Sequence, residues 1–176
     1  MSDLRRGPGW AGLALYPLLA GAILFALLLP LRTAPSGLAG PDLLVALSFA
    51  LVLIRPDLVP ALILFAVLLL ADFVLMRPPG LWAGLVLMGC EWLRRRHLLL
   101  GANTFLARWL SVAALLFAIT LAYRLIQAIL FVSPEPFFLL WMKYAMTVLV
   151  YPLISGLCWM MVGAGRGGFD KSGGAI

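Results

Sequence analysis

The chain has 176 residues, of which 64% are hydrophobic and 11% are charged, and its formal net charge is +6. Ordinary soluble domains carry about 25% charged residues, so this composition excludes one. The basic excess does not indicate nucleic-acid binding, because the basic residues flank apolar stretches instead of forming a basic face. We therefore expect an all-α integral membrane protein.

Six apolar stretches follow one another along the chain. A helix needs about 20 residues to cross the hydrocarbon of a bilayer. The predicted transmembrane helices cover about 10–31, 43–54, 58–76, 80–93, 105–132 and 137–162, between an N-terminal segment 1–9 and a flexible cytoplasmic tail 163–176. The first stretch is too long for a signal-peptide core and no small-x-small cleavage site follows it, so we interpret it as an uncleaved span.

Proline-containing turns separate the second, third and fourth stretches. Arg55-Pro56-Asp57 follows the second stretch, and Arg77-Pro78-Pro79 ends the third, because proline cannot continue a helix. The second and fourth stretches are short, and we expect both to pack inside the bundle, where neighbours shield them. The fourth begins with a GxxxG pattern, Gly80 to Gly84, which predicts a close approach of two helix backbones.

The distribution of basic residues predicts the orientation, since cytoplasmic loops collect Lys and Arg. With six spans and both termini inside, nine basic residues that lie outside the spans or at a cytoplasmic end of a span are cytoplasmic, and two, Arg32 and Arg77, are external. A five-span alternative, in which 43–54 does not cross, gives eight against three and places Arg5 and Arg6 outside. The six-span arrangement is favoured and predicts a multi-pass membrane protein with both termini in the cytoplasm.

Four ionisable residues fall within or at the edge of the spans: Asp72, Glu91, Arg124 and Lys143. A charge in the bilayer core costs at least about 2.5–3.5 kcal/mol, so such residues pair or reach an interface. Counting from the outer side places Asp72, Arg124 and Lys143 in one layer. We predict an Asp72–Arg124 pair, with Lys143 as the competing partner or extending outward. Arg124 is either a structural ion-pair residue or a contact for a partner or ligand.

Two polar stripes follow the fifth and sixth stretches at helical spacing. They comprise Thr120, Tyr123, Arg124 and Gln127 on the fifth, and Tyr144, Thr147, Tyr151 and Ser155 on the sixth. A short turn makes the two helices antiparallel neighbours, so we expect the stripes to meet. Alanines at 114, 118 and 122 form a separate small-residue face on the fifth helix.

A cluster of three arginines, Arg94, Arg95 and Arg96, follows Glu91. The spacing predicts an ion pair between Glu91 and Arg95, one helical turn apart. The cluster itself is typical of an anchor for lipid headgroups, and a docking patch for a cytoplasmic partner is the alternative.

Catalysis is poorly supported by the sequence, which has no HExxH, Walker or GxSxG motif. Cys90 and Cys158 lie in apolar stretches, where buried small hydrophobes are the simplest interpretation. His97 is the single histidine, so we expect neither a metal nor a cofactor. The sequence predicts a non-enzymatic protein, with a transporter subunit or ligand-binding membrane module as the alternative.

The segment 42–96 resembles MreD, the rod shape-determining membrane protein of bacteria. The matching features are Arg55-Pro56-Asp57 with Pro60, Asp72, the run from Arg77 to Trp82, and Glu91-Trp92-Leu93-Arg94. The two proline turns look most like alphaproteobacterial members. Along the rest of the chain, the size, the number of predicted spans and a basic fourth loop also agree with this family.

The resemblance implies a non-catalytic scaffold of the cell-elongation machinery that inserts lateral-wall peptidoglycan. Its implied partners are an MreC-like protein, the MreB filament and a RodA-type glycosyltransferase with its transpeptidase. The implied fold is similar to the six-helix substrate-binding subunits of vitamin transporters. The family has no established catalytic residues, and only Asp72 and the Pro79-Gly80 turn carry over, as an element expected to be structural.

The six-span arrangement predicts that the turn at Arg55 and the turn at Glu135 lie on opposite membrane faces. Single cysteines placed in each turn should react with a membrane-impermeant maleimide from opposite sides. Labelling of both turns from the same side would contradict this topology.

Overall fold

In the computed structural model, residues 10–29, 40–101, 104–131 and 136–164 are described. Within them the chain forms six α-helices: α1 (Trp10–Leu28), α2 (Leu43–Ile54), α3 (Ala61–Val74), α4 (Leu81–Gly101), α5 (Phe105–Ile129) and α6 (Phe137–Ala164). A 3₁₀ turn, Pro56–Leu58, joins α2 to α3. The predicted segment 1–9, the turn at Glu135 and most of the predicted tail lie outside the described residues.

The all-helical class is confirmed, with no strand in the described part of the chain. Among the described residues, two helices are long and apolar enough to cross a membrane: α5, and residues Phe137–Met161 of α6. Helices α2 and α3 have 12 and 14 residues, fewer than the about 20 that a span needs. Crossing by all six helices therefore stays a proposal.

Helix α4 is longer than predicted. It continues to Gly101, past the expected end at 93, so Arg94, Arg95 and Arg96 lie on a helix and not in a loop. Because arginine is among the better helix formers, the change from apolar to basic residues at Arg94 does not end the helix.

Helix α2 lies at the centre of the structure. Ten of its twelve residues are buried, and it packs against α1, α4 and α6. This agrees with the expectation that a short helix needs shielding by its neighbours. A buried polar contact joins α1 to it: the hydroxyls of Tyr16 and Ser48 are 3.0 Å apart, and Ser48 donates to the Leu44 carbonyl at 2.7 Å.

Helix α4 is buried on one face only. That face consists of Trp82, Ala83, Val86, Cys90 and Leu93, and the helix packs against α2, α3 and α5. Met88 and Trp92 point away, with 70% and 39% of their surface exposed. The expectation that α4 lies inside the bundle therefore holds for its buried face and not for the opposite face.

The GxxxG prediction is wrong about where helices come close. A Cβ added at Gly84 would meet no atom within 4 Å, whereas one at Gly89 would lie 2.7 Å from Ile119 Cδ1 and 3.5 Å from Phe49 Cζ. Gly80 serves a turn, with φ of +84°, a conformation that favours glycine. The close approach between α4, α5 and α2 therefore depends on Gly89, because Gly84 faces outward.

We expect Gly89→Val to destabilise the protein by about 1–3 kcal/mol, since the added methyls overlap Ile119 and its neighbours. Gly84→Val is the matched control on the same helix and should leave stability nearly unchanged. Thermal unfolding of both variants in detergent measures the difference. Equal shifts in the two melting temperatures would contradict the assigned packing.

Candidate functional site

Polar side chains gather where α2 begins, α3 ends and α4 begins, beside the first half of α6. We call this group the polar cluster: Asp42, Asp72, Arg77, Trp82, Lys143 and Thr147. Its position follows from the chain path, because the α3–α4 turn and the start of α2 meet at the same end of the bundle.

Asp72 is fully buried at the last turn of α3. Its Oδ2 accepts hydrogen bonds from the backbone N–H groups of Gly80 and Ala83, both at 3.1 Å. The first N–H groups of a helix have no partner within that helix, and a negative charge there is favourable. Asp72 therefore caps α4 from the preceding helix and fixes the turn, which Arg77 N–H reinforces by donating to the Asp72 carbonyl at 3.0 Å.

The prediction that Asp72 pairs with Arg124 or Lys143 is wrong. Its Oδ2 bonds to the backbone of the α4 start, and its Oδ1 has no hydrogen-bond partner. Arg124 is partly exposed on α5, with its Cζ 6.0 Å from the centre of the Phe137 ring. Counting along the helices placed these residues at one depth, but it could not show that the tight α3–α4 turn brings the backbone N–H groups of Gly80 and Ala83 to Asp72.

The ion pair that forms in the polar cluster joins Arg77 to Asp42. Arg77 Nη1 lies 3.2 Å from Asp42 Oδ2, and the two side chains are 12% and 7% exposed. Asp42 also caps α2, since Val45 N–H donates to its Oδ1 at 3.4 Å. Trp82 lies beneath the guanidinium, 5.5 Å from ring centre to Cζ.

Sequence reasoning missed this pair because it treated Arg77 and Asp42 as loop residues. The signal was present, since an Asp directly before an apolar helix is a typical N-cap.

Thr147 connects α6 to the start of α2. Its hydroxyl accepts a hydrogen bond from Asp42 N–H at 2.8 Å and donates to the Lys143 carbonyl at 2.7 Å. The α6 stripe is therefore used partly for α2 and not only for α5. This connection could not be read from helical spacing, which does not say which neighbour a face meets.

The two predicted stripes meet only in part. Thr120, Tyr144 and Thr147 line one small cavity, and the Tyr144 hydroxyl donates to the Ala113 carbonyl of α5 at 3.3 Å. Of the other stripe residues, Tyr123 packs edge-on against Trp82 at 5.0 Å, Gln127 is buried near the end of α5, and Tyr151 is buried beside Phe49 and Trp109. Arg124 and Ser155 are partly exposed.

A cavity of about 330 Å³ opens beside the polar cluster. It is lined by Leu27, Gly40, Pro41, Asp42, Leu75, Arg77 and Lys143. Two smaller cavities of about 10 Å³ lie next to it and share Trp82, Leu140 and Lys143. The Trp82 Nε1 donor is buried and has no hydrogen-bond partner.

The opposite end of the bundle carries the predicted basic cluster. Glu91 pairs with Arg94 at 3.4 Å, so the predicted pair with Arg95 is wrong, and Arg95 is exposed. Arg94 also donates to the Val59 carbonyl after the α2–α3 turn. Arg96 lies over the Trp92 ring at 4.5 Å.

The α2–α3 turn lies at this basic end. Arg55 follows α2 with a partly buried side chain, Pro56 opens the 3₁₀ turn, and Asp57 is exposed. Proline is favoured in such a first turn because its missing N–H would have no partner there. The Arg-Pro-Asp run is therefore a turn element, held to α4 through the Arg94 contact with Val59.

Comparison with protein-family models, with curated proteins and with solved structures finds no match. Among the described residues, no group of three or more His, Cys, Asp and Glu side chains is placed to hold a metal ion. The polar cluster holds helices together, and its donors also border open space. Its observed chemistry is thus cohesion between helices through charged hydrogen bonds.

We expect Asp72→Ala to lower the free energy of unfolding by about 1–3 kcal/mol, since two N–H groups at the start of α4 lose their acceptor. Asp57→Ala removes an exposed carboxylate and should change stability by less than about 0.5 kcal/mol. Denaturation in detergent measures both values. An Asp72→Ala protein as stable as Asp57→Ala would refute the capping role.

Proposed function

We propose that this chain is an MreD-like, non-catalytic membrane scaffold of the bacterial cell-elongation machinery. It supports rod shape and lateral-wall peptidoglycan synthesis through contacts within the membrane. The observation that carries the proposal is that charged and apolar side chains make different contacts. The buried carboxylates Asp42 and Asp72 and the partly buried Arg77 join helices to one another, whereas α4, α5 and α6 turn apolar faces outward.

The outward faces suit helix-to-helix recognition. Gly84 of α4 has open space at its Cβ position, and Met88 one turn further on is 70% exposed. On α5, Ala114 and Ala118 are exposed, together with Leu121. Small residues let a partner helix approach closely, and close packing drives helix association in lipid, where apolar contact alone gains little.

The proposed setting is the bacterial inner membrane, with six crossing helices and both termini cytoplasmic. The length and apolar character of α5 and α6 support it, and so does the burial of the short α2 among its neighbours. The basic end, with Arg94, Arg95 and Arg96, would then face the cytoplasm, where Lys and Arg collect.

The proposed partners are an MreC-like protein, and, directly or through it, the MreB filament and a RodA-type glycosyltransferase with its transpeptidase. These partners come from the resemblance of segment 42–96 to MreD. The outward faces of α4 and α5 supply the surface on which such a membrane partner would pack.

A second candidate is a small-molecule-binding membrane module or a transporter subunit. The cavity of about 330 Å³ at the polar cluster favours it, because ligand pockets usually measure about 300–1,000 Å³. Copurification separates the two candidates: an MreC-like protein supports the scaffold, and an ATPase pair supports the transporter subunit.

Photocrosslinking in intact cells tests the scaffold role. A photoreactive residue at Met88 or Leu121, on the outward faces, should capture an MreC-like protein. The same residue at Val86 or Leu116, which are 0% and 3% exposed, should crosslink only within the chain. Deletion should round the cells because wall insertion loses its lateral organisation. Retained rod shape together with no capture at Met88 or Leu121 would refute the scaffold.

A further inference from the structure

Helix α3 is short, and its neighbours do not cover it. Its 14 residues measure about 21 Å along the helix axis, whereas the hydrocarbon of a bilayer is about 30 Å thick. Helix α2 is shorter still, but ten of its 12 residues are buried. In α3 only four residues are buried. Helix α3 is therefore the short helix whose length the surroundings have to match.

The exposed residues of α3 form one continuous apolar face. They follow one another at intervals of three or four residues, which places them on the same side of a helix, and the last of them lies just after the helix end. We call them the α3 face: Leu62, Ala66, Leu70, Phe73 and Met76. Between Asp57 and Arg77 the one charged residue is Asp72, which is fully buried. The α3 face therefore presents apolar groups alone.

Charged residues limit the α3 face at both ends. The exposed Asp57 precedes it in the 3₁₀ turn, and Arg77 follows it. A long basic side chain beside a short span can reach out to the headgroups. Arg77 instead turns inward to Asp42, at 3.2 Å, and only 12% of its side chain is exposed. The apolar length from Ala61 to Met76, about 24 Å, is therefore not extended at this end.

Met76 lengthens the α3 face in a backbone conformation that glycine usually adopts. Its φ is +54°, and it follows the C-cap residue Leu75, where glycine is common. Two hydrogen bonds close the helix end there: Met76 N–H donates to the Phe73 carbonyl at 3.3 Å, and Arg77 N–H donates to the Asp72 carbonyl at 3.0 Å. The Met76 side chain is 94% exposed. A large apolar side chain at this position suits contact with hydrocarbon and not closure of the turn.

Helices α5 and α6 present a much greater apolar length. They have 25 and 28 residues, which correspond to about 38 and 42 Å. Helix α4 packs against both α3 and α5, so the short and the long apolar surfaces lie on different sides of it. A helix that is longer than the hydrocarbon is thick can tilt, but a short helix cannot lengthen. The molecule therefore presents two different apolar thicknesses to its surroundings.

The side chains of the α3 face suit lipid better than a partner helix. Helices that associate in a membrane use small residues for close approach, or polar side chains that bond across the interface. The α3 face has four large apolar side chains, one alanine and no polar group. Exposed small residues lie on the other helices, with Gly84 on α4 and Ala114 and Ala118 on α5. Acyl chains can adapt to the uneven surface that the large side chains leave.

We propose that the α3 face holds the adjoining bilayer to a hydrocarbon thickness of about 24 Å and thereby favours phospholipids with short acyl chains. A bilayer matches an apolar surface that is too short by becoming thinner beside it. The proposal rests on the proposed membrane setting, and it adds a surface that lipid occupies. It does not depend on the scaffold role, which assigns partner helices to α4 and α5.

Spin labels at three exposed positions test the proposal in the full-length protein, reconstituted in phosphatidylcholine bilayers. Ala66→Cys and Leu70→Cys lie in the two halves of the α3 face, and Ala118→Cys near the middle of α5 is the matched control. The buried Cys90 and Cys158 are changed to alanine. Power-saturation EPR, with oxygen and a nickel chelate, measures the depth of each label below the local headgroups. Dimyristoleoyl, dioleoyl and dierucoyl lipids give bilayers of increasing thickness.

The depth at Ala118 should increase with the acyl chain, by about half of the added thickness, because this position lies near the middle of a long helix. The depths at Ala66 and Leu70 should both stay constant, since the bilayer beside α3 keeps one thickness. A simple shift of the protein toward one headgroup layer would leave one of these two labels at constant depth and place the other deeper.

Three results would overturn the proposal. If all three labels become deeper together, the bilayer beside α3 is not held thin, although the membrane setting stands. If oxygen reaches Ala118 but not Ala66 and Leu70, a second copy of the chain covers the α3 face in place of lipid. If the nickel chelate reaches Ala66 as readily as an aqueous site, α3 lies outside the membrane and the six-span setting fails as well. The scaffold role is decided separately, by capture of an MreC-like protein and by cell shape.

Discussion

The Asp72 carboxylate lies where α3 ends and α4 begins, and the arrangement of the other polar groups depends on it. By accepting the first N–H groups of α4 it closes the turn and places Arg77 opposite Asp42. Asp42 in turn begins α2 and donates its N–H to Thr147 of α6. One series of bonds thus joins four helices. In a membrane no water would replace a broken bond in this series, so each member stabilises the others.

In the proposed membrane setting, the absence of water also governs packing at the centre of the bundle. Apolar side chains gain little by leaving lipid for a helix interface, so close contact and polar bonds decide which helices associate. The shortest helix, α2, is surrounded by its neighbours, and Gly89 lets α4 approach α5 and α2. The long helices α5 and α6 lie toward the periphery and keep exposed apolar faces.

The two ends of the bundle use charge differently. At the basic end Arg95 is exposed and Arg96 lies on Trp92, a pattern suited to a lipid surface. At the polar cluster Asp42 and Asp72 are buried, and the partly buried Arg77 pairs with Asp42.

The sequence by itself determined the helices, because helix limits depend on local features. Apolar stretches, Pro56 and the Arg77-Pro78-Pro79 turn predicted element bounds to within a few residues, except at the end of α4. Only the tertiary structure decided the contacts. Asp72 accepts hydrogen bonds from backbone N–H groups, Glu91 pairs with Arg94, and Arg77 pairs with Asp42. The close approach of helices occurs at Gly89 and not at Gly84. Spacing along a helix gives the depth of a residue, whereas its partner depends on how each helix is rotated about its axis and on which turn comes near. Those rotations are set by the packing of all six helices together.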